Sequence, residues 1–301
     1  MFGVYFGKYL MDEGIIPEDY YYGLLEATKN SKVKMGLLAV ESGYMTEEQV
    51  AEVNFLQQQQ DKKFGDIAIE KGYLTEEEVA DLLDEQGDSY LLYVQAIMES
   101  GLMDLDGMNE HLKAYRKDKH LTLSDLEAFK SGDIDRIVPV FMKDPAIPIQ
   151  TKEYVYLTSR NIVRFIDRFF RIEKVVRLSE YEADCMVYQS LRGDNSYLTA
   201  FCGSSEGIKA IADGFVGNIY GEIENFEYEA SDVAAEVLNV NNGLYVTNLS
   251  SINVNEVSDS PVIRNEKTKI TAVKDFYKIA LSIEGAPVDL IVCFNNGWSV
   301  E

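Results

Sequence analysis

Glycine recurs at one interval through the first third of the chain: Gly14, Gly43, Gly72 and Gly101 stand 29 residues apart, each followed by two large apolar or aromatic residues. An interval of that size holds two short helices, and a fixed period marks a repeat architecture whose copies bury apolar faces against their neighbours. Phe6-Gly7, Met35-Gly36 and Phe64-Gly65 are equivalent, while the fourth copy has Tyr93-Val94 there. Beyond the period glycine come Pro17, Thr46, Thr75 and Asp104 at one further position. Pro suits a first helical turn, and Thr46 with Gln49 and Thr75 with Glu78 fit the capping box. The glycine itself fits the left-handed position that closes a helix. Each copy reads as helix, Gly turn, helix. A fifth fragment follows in which Ser124 could cap another short helix, and Asp144-Pro145 through Pro148 then ends the helical pattern. This places an all-α helical repeat domain at residues 1–144.

The second part, 151–301, changes period. A helix at about Glu153 to Ile172 leads into strand-like runs at Lys174 to Leu178, Asp184 to Leu191 and Tyr197 to Cys202. Two helices, Ser205 to Tyr220 and Ala230 to Val246, separate these from further runs at Ser251 to Val257, Lys267 to Val273, Tyr277 to Ile283 and Val288 to Phe294. Strands with helices grouped between them predict an α+β two-layer domain with a largely antiparallel sheet. The chain as a whole is therefore expected to be multidomain.

Composition narrows the function. A formal charge of −23 over 301 residues makes binding to a nucleic-acid backbone unfavourable. No run approaches the roughly 18 apolar residues that cross a bilayer, and the first residues lack a basic segment with a following apolar one, so a cytoplasmic location without membrane insertion is expected. Cys185, Cys202 and Cys293 are odd in number and lie in strand-like sequence, which predicts buried thiols. Both histidines, His111 and His120, fall in the repeat half, so imidazole acid–base chemistry and most zinc chemistry are excluded from the second half. Gly203-Ser204-Ser205-Glu206-Gly207 has the form of a nucleophile elbow, but no histidine follows it; a strand-to-helix turn capped by Ser204 or Ser205 accounts for it. No phosphate-binding or dinucleotide-binding glycine pattern is present.

What remains is the helix from Ala230. At 100° per residue, Val233, Val237, Val240 and Leu244 form an apolar stripe expected to pack on the sheet, and Asp232, Glu236, Asn239 and Gly243 lie about 60–120° to one side. Glu236 offers an anion for a lysine on a partner, and Asn239 a donor and an acceptor that can orient a water. Phosphoryl transfer is mostly positioning plus charge stabilisation, so little else is required.

Asp232-x-x-x-Glu236-x-x-Asn239 followed by Pro261 resembles the signature of the CheC and CheX family of phospho-response-regulator phosphatases, and the order of elements from 151 to 301 is similar. The resemblance implies a CheX-like α+β fold. It further implies that Glu236 pairs with the active-site lysine of a receiver domain and that Asn239 orients the water attacking its aspartyl phosphate, with Asp232 and Pro261 shaping the site. Mg2+ would sit on the partner, no cofactor would be held by this chain, and a homodimer through this domain is within the family's range. The earlier helix carries no Glu-x-x-Asn, so there is one such site. The family also contains motor-switch relatives without this chemistry, which leaves a noncatalytic signalling or motility interaction protein as the alternative.

In the repeat half, two 24-residue copies, Lys34-Met35-Gly36 to Gln57 and Lys63-Phe64-Gly65 to Gln86, resemble the MshEN module of type II secretion and pilus ATPases. That resemblance implies cyclic di-GMP as a ligand, with Lys34, Gly36, Gln57, Lys63, Gly65 and Gln86 as its binding residues. Lysine replaces the arginine of the family pattern at Lys34 and Lys63, and lysine lacks the planar fork that holds a guanine. A regulatory or docking role for the repeats is the other expectation.

Overall fold

The computed structural model describes residues 1–28, 32–59, 62–84, 88–220, 229–294 and 297–301. The chain divides into two compact units, Met1–Asp133 and Ile134–Glu301, parting upstream of the Asp144-Pro145 break in the sequence pattern.

The described residues of unit 1 form helices α1 (Phe2–Asp12), α2 (Glu18–Thr28), α3 (Met35–Glu41), α4 (Glu47–Gln59), α5 (Phe64–Glu70), α6 (Glu76–Asp84), α7 (Ser89–Glu99), α8 (Leu105–Asp118) and α9 (Leu123–Ser131). All four period glycines have φ between 69° and 72°, and a Cβ on any of them would meet nothing within 4 Å. Backbone handedness alone demands glycine there. After α1, Gly14 N donates to Met11 O and Ile15 N to Leu10 O at 3.0 and 2.9 Å, the paired bonds of a Schellman turn, and the same pair recurs at Gly43 and Gly72. Both capping boxes form: Thr46 N donates to Gln49 Oε1 at 2.8 Å and Thr75 N to Glu78 Oε2 at 2.7 Å. For α9 the cap is Thr122 rather than Ser124, because Asp125 at the third helical position returns the bond to the Thr122 N–H.

The second glycine of each copy has a different reason. A Cβ on Gly36 would lie 2.6 Å from Val50 Cγ1, and one on Gly65 3.1 Å from Val79 Cγ1, so these glycines let the two helices of a copy approach closely. Gly3 and Gly7 seat the ring of Tyr93, the residue the fourth copy carries at the equivalent place.

Unit 2 begins with α10 (Ile134–Phe141) and α11 (Ile149–Phe165). The latter starts and stops earlier than the sequence pattern suggests: Pro148 occupies its N-cap, and beyond its end Asp167 accepts from Phe169 N at 2.7 Å and Glu284 N at 2.8 Å, turning the chain into the sheet. The strands are β1 (Arg171–Ala183), β2 (Cys185–Gly193), β3 (Ser196–Gly203), β4 (Glu256–Ser258), β5 (Val262–Arg264), β6 (Thr268–Ile283), β7 (Ala286–Phe294) and β8 (Trp298–Val300), with α12 (Ser205–Tyr220) and α13 (Ala230–Ser251) between β3 and β4. They make one antiparallel sheet of order β1-β6-β7-β3-β2-β4, with β5 also on β2 and β8 on β6.

Two expected strands, Lys267 to Val273 and Tyr277 to Ile283, are the single strand β6. The charged Lys274-Asp275 between them projects outward, where Asp275 pairs with Arg177 of β1 at 2.7 Å, instead of breaking the strand. The expected strand start at Ser251 is still helix, since Tyr245 and Leu249 stay buried as α13 runs on. The centre of the sheet, around β2, β3 and β7, is buried on both faces. Helices cover Val187, Leu191 and Phe201, while Met186, Leu198, Ala200, Cys202, Ile291 and Cys293 point into a second cluster closed by Tyr181, Tyr188 and Trp298. Cys202 and Cys293 are buried there, whereas Cys185 is only half-buried.

Candidate functional site

The orientation of α13 decides the site. Its buried face runs through Ala234, Leu238, Asn241, Asn242, Tyr245 and Leu249, with Val237 at its border. The stripe expected to pack on the sheet does so only in part: Val237 is buried and Val233 half-buried, but Val240 is 39 % and Leu244 41 % exposed. Paired helix amides explain the rotation. Asn241 donates to Thr158 Oγ1 at 3.0 Å and accepts from Asn161 Nδ2 at 2.7 Å, while Asn242 accepts from Tyr154 Oη at 2.7 Å and donates to Thr199 Oγ1 at 2.9 Å. Two adjacent carboxamides with every strong bond answered tolerate the interior that the valines leave. Burial pushes the fully enclosed Tyr154 phenol up to about 12.

That rotation places Asp232 and Glu236 in solvent and Asn239 at the margin of the buried face. Glu236 Oε2 lies 3.5 Å from Asn239 Nδ2, so the sequence-predicted pair comes together on one exposed edge, with Asp232 one helical turn before Glu236. Gly243 follows on the same side, with open space where a Cβ would stand.

Behind Asn239 is a residue that the sequence pattern did not single out. Gln189, on β2, is wholly buried, and its Nε2 donates both to Asn239 Oδ1 at 2.9 Å and to the backbone oxygen of Asp259 at 2.7 Å. Its Oε1 accepts from Asn242 Nδ2 at 2.7 Å. A backbone oxygen can only accept, so it fixes which end of the Gln189 amide faces that way; the same end then requires Asn239 to turn its oxygen inward and its Nδ2 outward. Pro261 has a part in this. The outer strand beside β2 is split, β4 pairing with 191–193 and β5 with 186–188, and the break spans Asp259 to Pro261. Proline has no N–H for a ladder and suits such an interruption. The Asp259 carbonyl at the break is what Gln189 meets. The only sequence signal for this network was Asn241-Asn242 inside a helical pattern.

The Gly203–Gly207 turn has the structural role expected of it: Gly207 N donates to Ser204 Oγ at 3.3 Å, and a Cβ on Gly207 would lie 2.5 Å from the Pro287 oxygen. It is a capped, closely packed strand-to-helix turn.

In unit 1, Lys34, Gly36 and Gln57 line one groove of about 720 Å3 together with Met35, Asn54, Phe64, Gln95, Met98 and Glu99. Lys34 Nζ is 2.7 Å from Glu99 Oε1, and its backbone N–H donates to Gln95 Oε1 at 2.6 Å. Gln57 Nε2 donates to the Lys62 oxygen at 3.2 Å. Lys63 and Gly65 open α5 as the equivalent residues of the next copy and do not line this groove; Gln86 lies outside the described residues.

No family model matches this sequence, and no curated protein matches it. Among solved structures the chain is similar to the chemotaxis protein CheX of Desulfovibrio desulfuricans, at 14 % identity over 48 % of this chain and 99 % of that one, with a TM-score of 0.40. A CheC-like superfamily protein of Shewanella sp. PV-4 is similar at 12 % identity over 50 % and 100 % of the two chains, with a TM-score of 0.39. A third is the CheX–CheY–BeF3–Mg2+ complex of Borrelia burgdorferi, at 13 % identity, 48 % and 96 % coverage and a TM-score of 0.32.

Proposed function

We propose that unit 2 is a phosphatase acting on the aspartyl phosphate of a response-regulator receiver domain. The observation that carries this reading is the carboxamide of Asn239, clamped from behind by Gln189 with its N–H turned outward beside the exposed Glu236 carboxylate. In the reaction, the receiver's lysine docks on Glu236 and a water accepts a hydrogen bond from Asn239 Nδ2. Its second lone pair then faces the phosphorus. As the water oxygen bonds to phosphorus, the bond from phosphorus to the aspartyl oxygen breaks; one proton of the water passes to solvent, the other stays on the phosphate, and the receiver carboxylate is released with inorganic phosphate. Mg2+ would be held by the receiver's acidic pocket and would supply charge for the phosphoryl oxygens. Residues of this chain contribute docking and placement, the larger part of what such a reaction needs.

The two residues separate in kinetics. Asn239→Ala should lower kcat by about a hundredfold with little change in KM, since it removes a group that acts on the attacking water. Glu236→Ala should act mainly on KM by removing the lysine's partner. If Asn239→Ala keeps wild-type turnover, the role given to Asn239 fails; if the wild-type chain releases no phosphate, the domain is a binding module and the catalytic reading fails.

The groove in unit 1 supports a second reading, reception of a ligand by the repeats, with cyclic di-GMP as the ligand that the resemblance implies. Among the described lining residues Lys34 is the one cation, and it already pairs with Glu99. An anionic ligand has to displace that carboxylate. Glu99→Gln should therefore tighten binding and Lys34→Met weaken it in a calorimetric titration; no saturable binding by the wild-type chain would end this reading.

A further inference from the structure

We infer that Gln189 is the positioning residue of the Asn239 site, an assignment that rests on the phosphatase reading for its catalytic consequence but not for its geometry. An asparagine on an exposed helix face rotates freely about its last torsion, and its oxygen and nitrogen then face outward in turn. Only one of these poses offers an attacking water an N–H and leaves the proton that must depart unbound by Asn239. Gln189 selects that pose. Its Nε2 carries two hydrogens, one taken by the Asp259 backbone oxygen at 2.7 Å and the other by Asn239 Oδ1 at 2.9 Å. Its Oε1 is held by Asn242 Nδ2 at 2.7 Å, and Asn242 is held in turn by Tyr154 and Thr199. Gln189 cannot flip without setting its oxygen against the Asp259 carbonyl and its amide against the amide of Asn242. That would leave buried polar groups unanswered, which is strongly disfavoured. The pose of Asn239 is thus set by Gln189 on β2, itself held by the edge-strand break and by Asn242 of α13, which Tyr154 of α11 and Thr199 of β3 hold in turn; on the outer side Glu236 Oε2 accepts from Asn239 Nδ2 at 3.5 Å.

Gln189→Glu tests this in the full chain. The variant keeps the shape of the side chain and an oxygen for Asn242; buried against the Asp259 carbonyl, its carboxyl is neutral and gives its one O–H to that oxygen, which leaves no hydrogen for Asn239. Asn239 should then turn its Nδ2 inward. The first readout is hydrogen exchange of the Asn239 side-chain amide by NMR, its signals identified by their loss in Asn239→Ala: exchange should slow on Gln189→Glu. The second is phosphatase kinetics, where kcat should fall about 10–100-fold, the scale of a misplaced reacting group, while KM for the phosphorylated receiver holds. Unchanged exchange overturns the assignment whatever the activity does, and slowed exchange with wild-type kcat overturns its catalytic consequence. Should the wild-type chain release no phosphate, the phosphatase reading falls, and exchange alone judges Gln189. If Gln189→Glu does not fold, the wild-type protein decides: the Gln189 amide should exchange slowly and the Asn239 amide fast, and the reverse order refutes the assignment.

Discussion

Tyr154 anchors the far end of the network that begins at Asn239, and its phenol makes the network sensitive to alkali. Burial raises the folded-state pKa from the ordinary 10.0 to about 12. A raised pKa means that the stabilisation is complete below pH 10 and is lost as pH climbs from there through about 12. Urea unfolding followed up this range should show a steep loss of stability in unit 2, and Tyr154→Phe should make that slope shallower. At neutral pH the same substitution leaves Asn242 Oδ1 short of a donor, at a cost of about 1–2 kcal/mol. At this scale the sequence was informative where residues act along one helix and silent where they meet across the sheet. Glu236 and Asn239 were readable because their spacing puts them one turn apart. Gln189 was not, since it sits 50 residues from Asn239 and nothing in a strand pattern marks one buried glutamine as a clamp.

Among the elements, α13 shows how hydropathy can point the wrong way. Four aliphatic residues at helical spacing predicted the buried stripe, yet only Val237 of them is buried, while the helix buries Asn241 and Asn242 and exposes Val240 and Leu244. Partners on α11 and β3 answer the amides, and a count of apolar residues cannot see partners. The repeat helices were more legible, because their turns depend on local backbone chemistry. Gly43 and Gly36 separate two causes for the same residue type. Gly43→Ala should cost about 1 kcal/mol, the price of a Cβ at positive φ, with no clash to relieve. Gly36→Ala should cost about 1–3 kcal/mol through overpacking on Val50, and Val50→Ala should recover part of it in a double-mutant cycle. Equal behaviour of the two glycines toward Val50→Ala in urea unfolding would contradict this division.

For the whole molecule, the net charge of −23 is the broadest constraint, and most of it belongs to the repeat unit. Duplex DNA titrated with the full chain at about 0.15 M salt should show no saturable change in anisotropy, because the chain has no cationic excess with which to displace condensed counterions. Two units and their fold classes were visible in the sequence as a change from a 29-residue glycine period to alternating strands. The short strands β5 and β8 were not, since three residues give too little pattern to recognise. The function proposed for unit 2 depends on chemistry at one helix edge. Its most direct measurement is the lifetime of the aspartyl phosphate on a panel of phosphorylated receiver domains, followed with the full chain and with Asn239→Ala. The wild-type chain should shorten the lifetime of at least one receiver, and Asn239→Ala should lose that effect. Unaltered lifetimes across the panel, or equal shortening by Asn239→Ala, would contradict this.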